Sequence, residues 1–414
     1  MSRLFSGLWR HPDFLKLWAG DVVSVFGSQV TALALPLTAA LALDATPAQM
    51  GLLGALAYAP AVLVGLVAGV WIDRLRRRPL MVAADLGRTV VLGLVPLAAL
   101  LDLLRIELLY AVAFLAGALG VLFDTARGAY VPTLVERSEL VEANAKLSVT
   151  GSAALIAGPG LGGLLIQLLT APVAVAADAL SFLVSALCLG AIRTDEPAPA
   201  GGRASPSLAA EVLAGLRLLL RDPILRAFTL AAATLDVGWN ALMAVYLLYL
   251  TRELGQPATT VGLIFGAGSA GALLAGLVAD RLARRLGLGP TLVGSQAGIG
   301  LGGLLIVLAI AASAWAVPLL VAAELVQSFA GTVHAVNRGA LRQAIVPNHL
   351  RGRVGAGGSV VGRGVATAGL LLGGQLGERL GLAPTMVLGA STGLVSFLWL
   401  HRSPVRTLRR VPSG

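Results

Sequence analysis

The acidic residues inside long apolar stretches of this 414-residue sequence include Asp21, Asp124, Asp236 and Glu324. A charged side chain at the centre of a bilayer costs roughly 2.5–3.5 kcal/mol on insertion scales, so it needs a partner, a cavity or a function. A carboxyl group in such a place can bind and release a proton, and it can also hold a cationic group. Competition between a proton and a substrate for one carboxyl group is the chemistry that antiport requires.

Two of these acids lie near the middle of their apolar runs. Asp236 comes about 12 residues into its run and Glu324 about 9 residues into its own, which places both near the midplane at a rise of 1.5 Å per residue. The alternative is a packing role, in which a neighbouring polar side chain such as Asn240 or Gln327 hydrogen-bonds the carboxyl group. Both interpretations stay open from the sequence.

A second group of charged residues lies between apolar runs and occurs twice. The segment GVWIDRLRRR, Gly69 to Arg78, has the spacing G-x-x-x-D-R-x-x-R-R, and the same spacing returns 207 positions later (276 minus 69). Because several arginines cannot sit in hydrocarbon, we expect both segments to be short loops at the membrane edge. The repeat divides the chain into two halves. The matching residues are Gly69, Asp73, Arg74, Arg77 and Arg78, and Gly276, Asp280, Arg281, Arg284 and Arg285.

Apolar runs long enough to cross a bilayer carry these charges. The sequence predicts an all-α membrane protein with twelve transmembrane helices, in two six-helix halves related by pseudo-two-fold symmetry. The predicted spans are 17–43, 48–72, 79–101, 107–130, 147–169 and 172–192 in the first half, and 224–250, 258–279, 286–312, 315–337, 354–377 and 381–401 in the second.

The predicted domain boundaries follow from these spans. An N-terminal half (1–192) and a C-terminal half (224–401) are joined by a linker (193–223) rich in Pro, Gly, Ala and Ser, whose last part, 207–220, has the pattern of an amphipathic helix. Residues 402–414 form a tail. Among the arginines and lysines between the predicted spans, only Arg105, Arg252 and Arg379 lie on one side of the membrane. The other side carries both termini and most of the positive charge, so both termini are predicted to be cytoplasmic.

Composition excludes several classes of protein. With 57% hydrophobic and 13% charged residues, the chain has too little polar surface for a soluble globule. The net charge of +10 comes from arginines at the ends of apolar runs, which gives no basic face for nucleic acid. A single cysteine, Cys188, forms no disulfide framework, and neither lysine follows a phosphate-binding loop pattern. We therefore expect neither an enzyme nor a cofactor or metal site. The coupling ion that we expect is the proton, because of the acids inside the apolar runs.

The repeated charged segment resembles the loop signature of the major facilitator superfamily. In span 5, Gly158, Pro159, Gly162 and Gly163 resemble the G-P-x-x-G-G core of its antiporter branch, although Ala145 and Ala154 stand where glycines are usual. Shorter segments are similar to the twelve-span drug/proton antiporter branch that contains macrolide efflux proteins and the enterobactin exporter. These segments are FLKLWAGDVVSVFGS at 14–28, Asp85 with Arg88, YVPTLV at 130–135 with Asn144, and Asp178 with Ser181 and Phe182.

The resemblance implies roles for individual residues. Helices 1, 4, 7 and 10 line the central cavity of the superfamily, and each carries one of the four acids, although an acid at Asp21 departs from the branch. Asp124 and Arg127 would be gate residues, with Arg77 paired to Asp124 and Asp73 facing the start of span 11. Independently of the resemblance, Arg363 in span 11 would bind an anionic substrate group, pair with one of the acids, or extend to the interface. The candidates for proton or substrate binding are Asp21, Asp236, Asn240, Glu324 and Arg363. Asp85 and Arg88 would neutralise each other on one helix face.

The functional expectation is proton-coupled export of amphiphilic small molecules, such as a drug, a macrolide, a siderophore or a metabolite, by alternating access. The expected setting is the bacterial inner membrane, with a small-molecule substrate, the lipid bilayer, no nucleic acid and a functional monomer. Two alternatives stay open: an importer or facilitator of the same fold, and a membrane enzyme or sensor that keeps a transporter shell.

Overall fold

The computed structural model describes residues 7–64, 75–194, 196, 208–346 and 350–408. These residues form thirteen α-helices, joined by short turns, and contain no strand. The helices are α1 (Pro12–Ala42), α2 (Pro47–Leu63), α3 (Arg77–Leu100), α4 (Ile106–Leu134), α5 (Leu140–Leu169), α6 (Ala171–Gly190), α7 (Leu208–Arg221), α8 (Pro223–Leu248), α9 (Ala258–Leu286), α10 (Leu288–Ala311), α11 (Ala316–Ile345), α12 (Arg351–Leu380) and α13 (Leu382–His401).

Twelve of these helices correspond to the twelve predicted spans, and α7 is the additional one. Among the described residues, ten helices are long and apolar enough to cross a membrane by themselves. The described part of α2 has 17 residues, and α12 is rich in glycine and carries arginines, so both fall short on that criterion.

The first helical unit comprises Met1–Ala45 and Leu56–Ala204. In it α1 packs against α5 and α6, and α3 packs against α4 and α6. One end of the unit holds an apolar core whose central members include Phe14, Leu17, Met81, Tyr130 and Leu189, all at most 2% exposed. This core fixes the four helices that carry the acidic residues of the first half.

The second helical unit comprises Thr46–Ala55 and Ser205–Gly414. In it α8 packs against α12 and α13, and α10 packs against α11 and α13. This is the neighbour pattern of the first unit moved on by seven helices, so the internal repeat seen in the sequence is also a repeat of structure. The domain boundaries predicted from the sequence remain a prediction.

Helices extend beyond the apolar runs on the predicted arginine-rich side. Helix α5 begins at Leu140 instead of 147, α9 ends at Leu286 instead of 279, and α11 ends at Ile345 instead of 337. A helix satisfies its own backbone hydrogen bonds, so it can continue into the polar region where charged side chains are tolerated. The apolar pattern marks the hydrocarbon boundary and not the end of the helix.

The loop prediction is wrong for the second charged segment. Its residues 276–285 lie inside α9, and the chain turns only at Gly287, whose φ of +92° favours glycine. In the first copy, Gly69, Asp73 and Arg74 lie outside the described residues, while Arg77 and Arg78 form the first turn of α3.

The predicted amphipathic helix of the linker is confirmed as α7. Leu219 from this helix packs with Leu225 of α8, with Val346 at the end of α11 and with Val354 of α12. Helix α7 is therefore part of the second unit.

The start of the predicted linker is held by side chains of the first unit. The Asp13 carboxylate accepts hydrogen bonds from the backbone of Arg193 (3.1 Å) and Thr194 (2.8 Å). Glu196 accepts from the backbone N–H groups of Arg77 (2.7 Å) and Arg78 (3.1 Å), which places a carboxylate at the N-terminus of α3. These contacts attach the first residues after α6 to the unit that precedes them.

Candidate functional site

A partly buried arginine bridge joins α1 to α4 in the first unit. Arg127 of α4 donates a hydrogen bond to Asp21 of α1, and its other terminal nitrogen lies 3.3 Å from Asp124. Asp21 has a side chain only 3% exposed, whereas that of Asp124 is 69% exposed. Arg127 thus connects a buried carboxylate with an accessible one.

Next to this bridge lies a buried ion pair, on α3. Asp85 and Arg88 pair one helical turn apart, as the sequence predicted. The Arg88 guanidinium lies between two rings, 4.5 Å from the centre of Phe123 and 3.9 Å from that of Phe182. The pair is thus enclosed by aromatic side chains from α4 and α6, a setting that gives cation–π attraction.

Asp178 of α6 is a buried acid with hydroxyl partners. It is 1% exposed and accepts a hydrogen bond from Ser181 at 3.0 Å, with the Thr31 hydroxyl of α1 also beside it. Within the part of the chain that the structure describes, no cationic nitrogen lies within 4.0 Å of its carboxylate.

Together these residues form a cluster that we call the first-unit charge cluster. It contains four acids and two arginines, so two carboxyl groups have no matching cation (4 minus 2). Such an excess gives the cluster room to bind protons. Its members are Asp21, Asp85, Arg88, Asp124, Arg127 and Asp178.

Sequence reasoning gave Asp85, Arg88 and Asp178 no place among the functional residues. The signal that could have found them is their charge in apolar runs, combined with the short segments that resemble the antiporter branch. Their joint position could not be read from spacing, because they come from helices far apart in the chain.

In the second unit, Glu324 is a buried acid on α11. It is 4% exposed, and its carboxyl group lies beside the Tyr246 hydroxyl of α8. A Cβ atom at Gly268 of α9 would come 3.2 Å from its Oε2 atom, so glycine makes room for the carboxyl group there. None of the ion pairs among the described residues includes Glu324.

Asp236 of α8 lines a cavity of about 260 Å³ in the second unit. Arg338 and Arg342 of α11 line the same cavity. The Asn240 side chain donates to the backbone carbonyl of Asp236 at 2.8 Å. Asn240 therefore supports the helix at this point, and the Asp236 carboxyl group is available to the cavity.

Several predicted site residues are placed apart from these acids. Arg77 pairs with Glu196 at 3.8 Å and Asp124 with Arg127, so the expected pair of Arg77 and Asp124 is not among the described ion pairs. Glu196 is the nearer acid because it caps the helix on which Arg77 lies. Arg363 is exposed on α12.

The second charged segment is mostly exposed at the end of α9. Asp280 pairs with Arg284 one turn later, with side chains 71% and 66% exposed. Arg281 donates to the carbonyl of Leu277 at 2.8 Å. Gly276 has open space around it, and Arg285 lies in the last turn of the helix.

The residues of the antiporter core line the contact between α5 and α1. Gly158, Gly162 and Gly163 are buried, and Pro159 lies between them inside α5. A Cβ atom at Gly158 would overlap the Gln29 side chain, and one at Gly162 would lie 3.4 Å from the Cα atom of Val30. Glycine is therefore required at position 158 for the close approach of the two helices, whereas a methyl group at position 162 would make an ordinary contact.

Among the described residues, no group of three or more His, Cys, Asp or Glu side chains is arranged to hold a metal ion. The arrangement offers buried carboxyl groups and a charged cavity.

Comparison with known proteins adds three kinds of likeness. Residues 5–412 match the family model described as transmembrane secretion effector. The chain is similar to the multidrug efflux pump Tap of Mycolicibacterium fortuitum, with 28% identity over 79% of this chain and 80% of that protein. It is also similar to the enterobactin exporter EntS of Shigella boydii, with 30% identity over 71% and 70%. A bacterial homologue of the iron transporter ferroportin, in an inward-facing state, has the same fold, with a TM-score of 0.74 at 18% identity over 96% of this chain and 99% of that one.

Proposed function

We propose that this chain, which belongs to the transmembrane secretion effector family of the major facilitator superfamily, exports amphiphilic small molecules in exchange for protons. Membership of the family makes the chain a multi-pass membrane transporter and not an enzyme. The direction is supported by the relatives named as an efflux pump and as an exporter. The observation that carries proton coupling is Glu324, a carboxyl group buried in a membrane-spanning helix with a hydroxyl group as its neighbour.

In the proposed cycle the two helical units alternate access to a site between the faces of the membrane. A carboxyl group takes a proton from outside after the substrate has left, and the protonated transporter returns to face the cytoplasm. Loss of the proton to the cytoplasm regenerates the carboxylate for the next substrate. One proton moving inward along a potential of roughly 100 mV releases about 2.3 kcal/mol, enough for roughly a 50-fold concentration ratio.

The two units contribute different chemistry to this cycle. Asp236 and Glu324 supply single carboxyl groups in the second unit, whereas the first-unit charge cluster holds acids and arginines together. Arg127 can exchange between Asp21 and Asp124 because it already contacts both. We propose the bridge as the gate element of the first half, in the place where Arg77 was expected.

The proposed setting follows the expectation from the sequence. The arginine-rich segments and both termini face the cytoplasm by the positive-inside rule, and the membrane is the bacterial inner membrane. The transporter works as a monomer, since each chain carries both halves of the repeat.

The test is dye accumulation in bacterial cells that express the protein, with cationic, neutral and anionic fluorescent amphiphiles. Expression should lower the cell content of at least one class of dye, and a protonophore should abolish the difference. Glu324→Gln is the matched variant and should behave like the protonophore. A higher dye content on expression would contradict export, and a difference that survives the protonophore would contradict proton coupling.

A further inference from the structure

The cavity in the second unit contains more positive than negative charge. Its volume of about 260 Å³ lies just below the usual range of ligand pockets, ~300–1,000 Å³. The ionisable side chains that line it are Asp236, Arg338 and Arg342, which gives a formal charge of +1 (two minus one). A ligand that neutralises this cavity carries one negative charge.

Within the residues that the structure describes, neither arginine, Arg338 or Arg342, has a carboxylate within ion-pair distance. Arg338 lies close enough to Asp236 and to Arg342 to interact with both electrostatically, and all three side chains line the cavity. A guanidinium group presents several N–H donors in a plane, which matches carboxylate, sulfonate and phosphate groups.

The rest of the cavity wall is suited to an apolar body. Leu225 and Phe228 of α8, Leu341 of α11 and Val361 of α12 line it. On the α12 side, a Cβ atom at Gly362 would meet nothing within 4 Å, so this glycine leaves open volume and no close helix contact. The wall therefore combines an anion-binding edge with a compact apolar space.

We infer that this cavity binds amphiphilic acids, that is, molecules with a compact apolar body and one anionic group. The inference rests on the proposed function for its meaning, because it names the substrate class of the exporter. It excludes simple cationic dyes from this cavity, since two arginines repel them. The same chemistry fits a transported organic acid or the headgroup of an anionic lipid.

The experiment uses a pair of probes that differ only in the anionic group. The fluorescent probe 1-anilinonaphthalene-8-sulfonate is compared with N-phenyl-1-naphthylamine, which lacks the sulfonate. Binding is measured on the full chain in phosphatidylcholine nanodiscs, with empty nanodiscs subtracted. Arg338→Gln and Arg342→Gln should each weaken sulfonate binding roughly tenfold or more, because a charge-assisted hydrogen bond is lost. The neutral probe should change less than about twofold.

Two further variants separate binding from folding. Asp236→Asn removes the negative charge of the cavity and should tighten sulfonate binding, an outcome that a damaged fold does not produce. Arg402→Gln, an exposed arginine after α13, is the matched control and should leave both probes unchanged. Equal losses for both probes in the arginine variants, or weaker sulfonate binding in Asp236→Asn, would overturn the inference.

A titration with phosphatidylglycerol distinguishes the two sources of the anionic group. Displacement of the sulfonate probe by this lipid assigns the cavity to a headgroup, and binding that persists assigns it to a soluble acid. Because binding is measured without a proton gradient, the result is independent of coupled export. Binding that depends on the arginines, without transport that depends on protons, would refute the proposed function alone. Transport that depends on protons, without binding that depends on the arginines, would refute this inference alone.

Discussion

The buried pair of Asp85 and Arg88 provides a sharp test of how the first unit is held together. The variant Arg88→Met removes the guanidinium between Phe123 and Phe182 and leaves Asp85, which is 0% exposed, without its cation. Removing one partner of a buried ion pair typically costs roughly 3–5 kcal/mol. For a unit of about 190 residues, this corresponds to a fall in the thermal midpoint of roughly 6–20 °C.

The assay is thermal unfolding of the purified protein, followed by tryptophan fluorescence. The matched control is Arg284→Met, which breaks the exposed ion pair with Asp280 one helical turn away. This variant should lower the free energy of unfolding by less than about 1 kcal/mol. The double variant Asp85→Leu with Arg88→Met should recover at least half of the loss, because no buried charge is then left alone. A single variant as stable as the control, or a double variant worse than the single one, would refute the reasoning.

Three other perturbations have defined outcomes. Gly158→Val should reduce the yield of folded protein from the membrane severalfold, because the added side chain overlaps Gln29 of α1. Gly160→Ala is the control, since a Cβ atom there meets nothing within 4 Å, and equal yields of the two variants on size-exclusion chromatography would contradict this. Glu196→Ala should lower stability by about 1 kcal/mol through loss of the α3 cap, with Glu196→Gln in between, and a thermal midpoint unchanged in both would remove that role. Asp73→Asn should slow transport while insertion stays normal, and wild-type transport rates would end its assignment to the gate.

The sequence predicted the helices well because each apolar run must lie in lipid. It predicted α7 from its amphipathic pattern, and the pair of Asp85 and Arg88 from a spacing of three residues. Local patterns such as these follow from the geometry of one helix. The boundaries were less accurate on the arginine-rich side, since hydropathy does not report where a helix ends in water.

Contacts between distant helices could not be predicted from the sequence. Arg127 meets Asp21 across 106 positions, and Glu196 caps α3 across 119. The family pattern favoured Arg77 as the partner of Asp124, but the nearest acid to each arginine depends on packing. The cavity around Asp236 was missed for the same reason, because its arginines lie on α11, about 100 residues later.

The central claim is that substrate export is driven by protons exchanged at buried carboxyl groups. The most direct measurement is simultaneous recording of substrate and proton flux in proteoliposomes, with an imposed pH gradient and no nucleotide. The account predicts that substrate moves against the proton flux, that both stop when the gradient is removed, and that Glu324→Gln abolishes the proton flux. Substrate transport at an unchanged rate without a gradient, or coupled fluxes in Glu324→Gln equal to wild type, would contradict it.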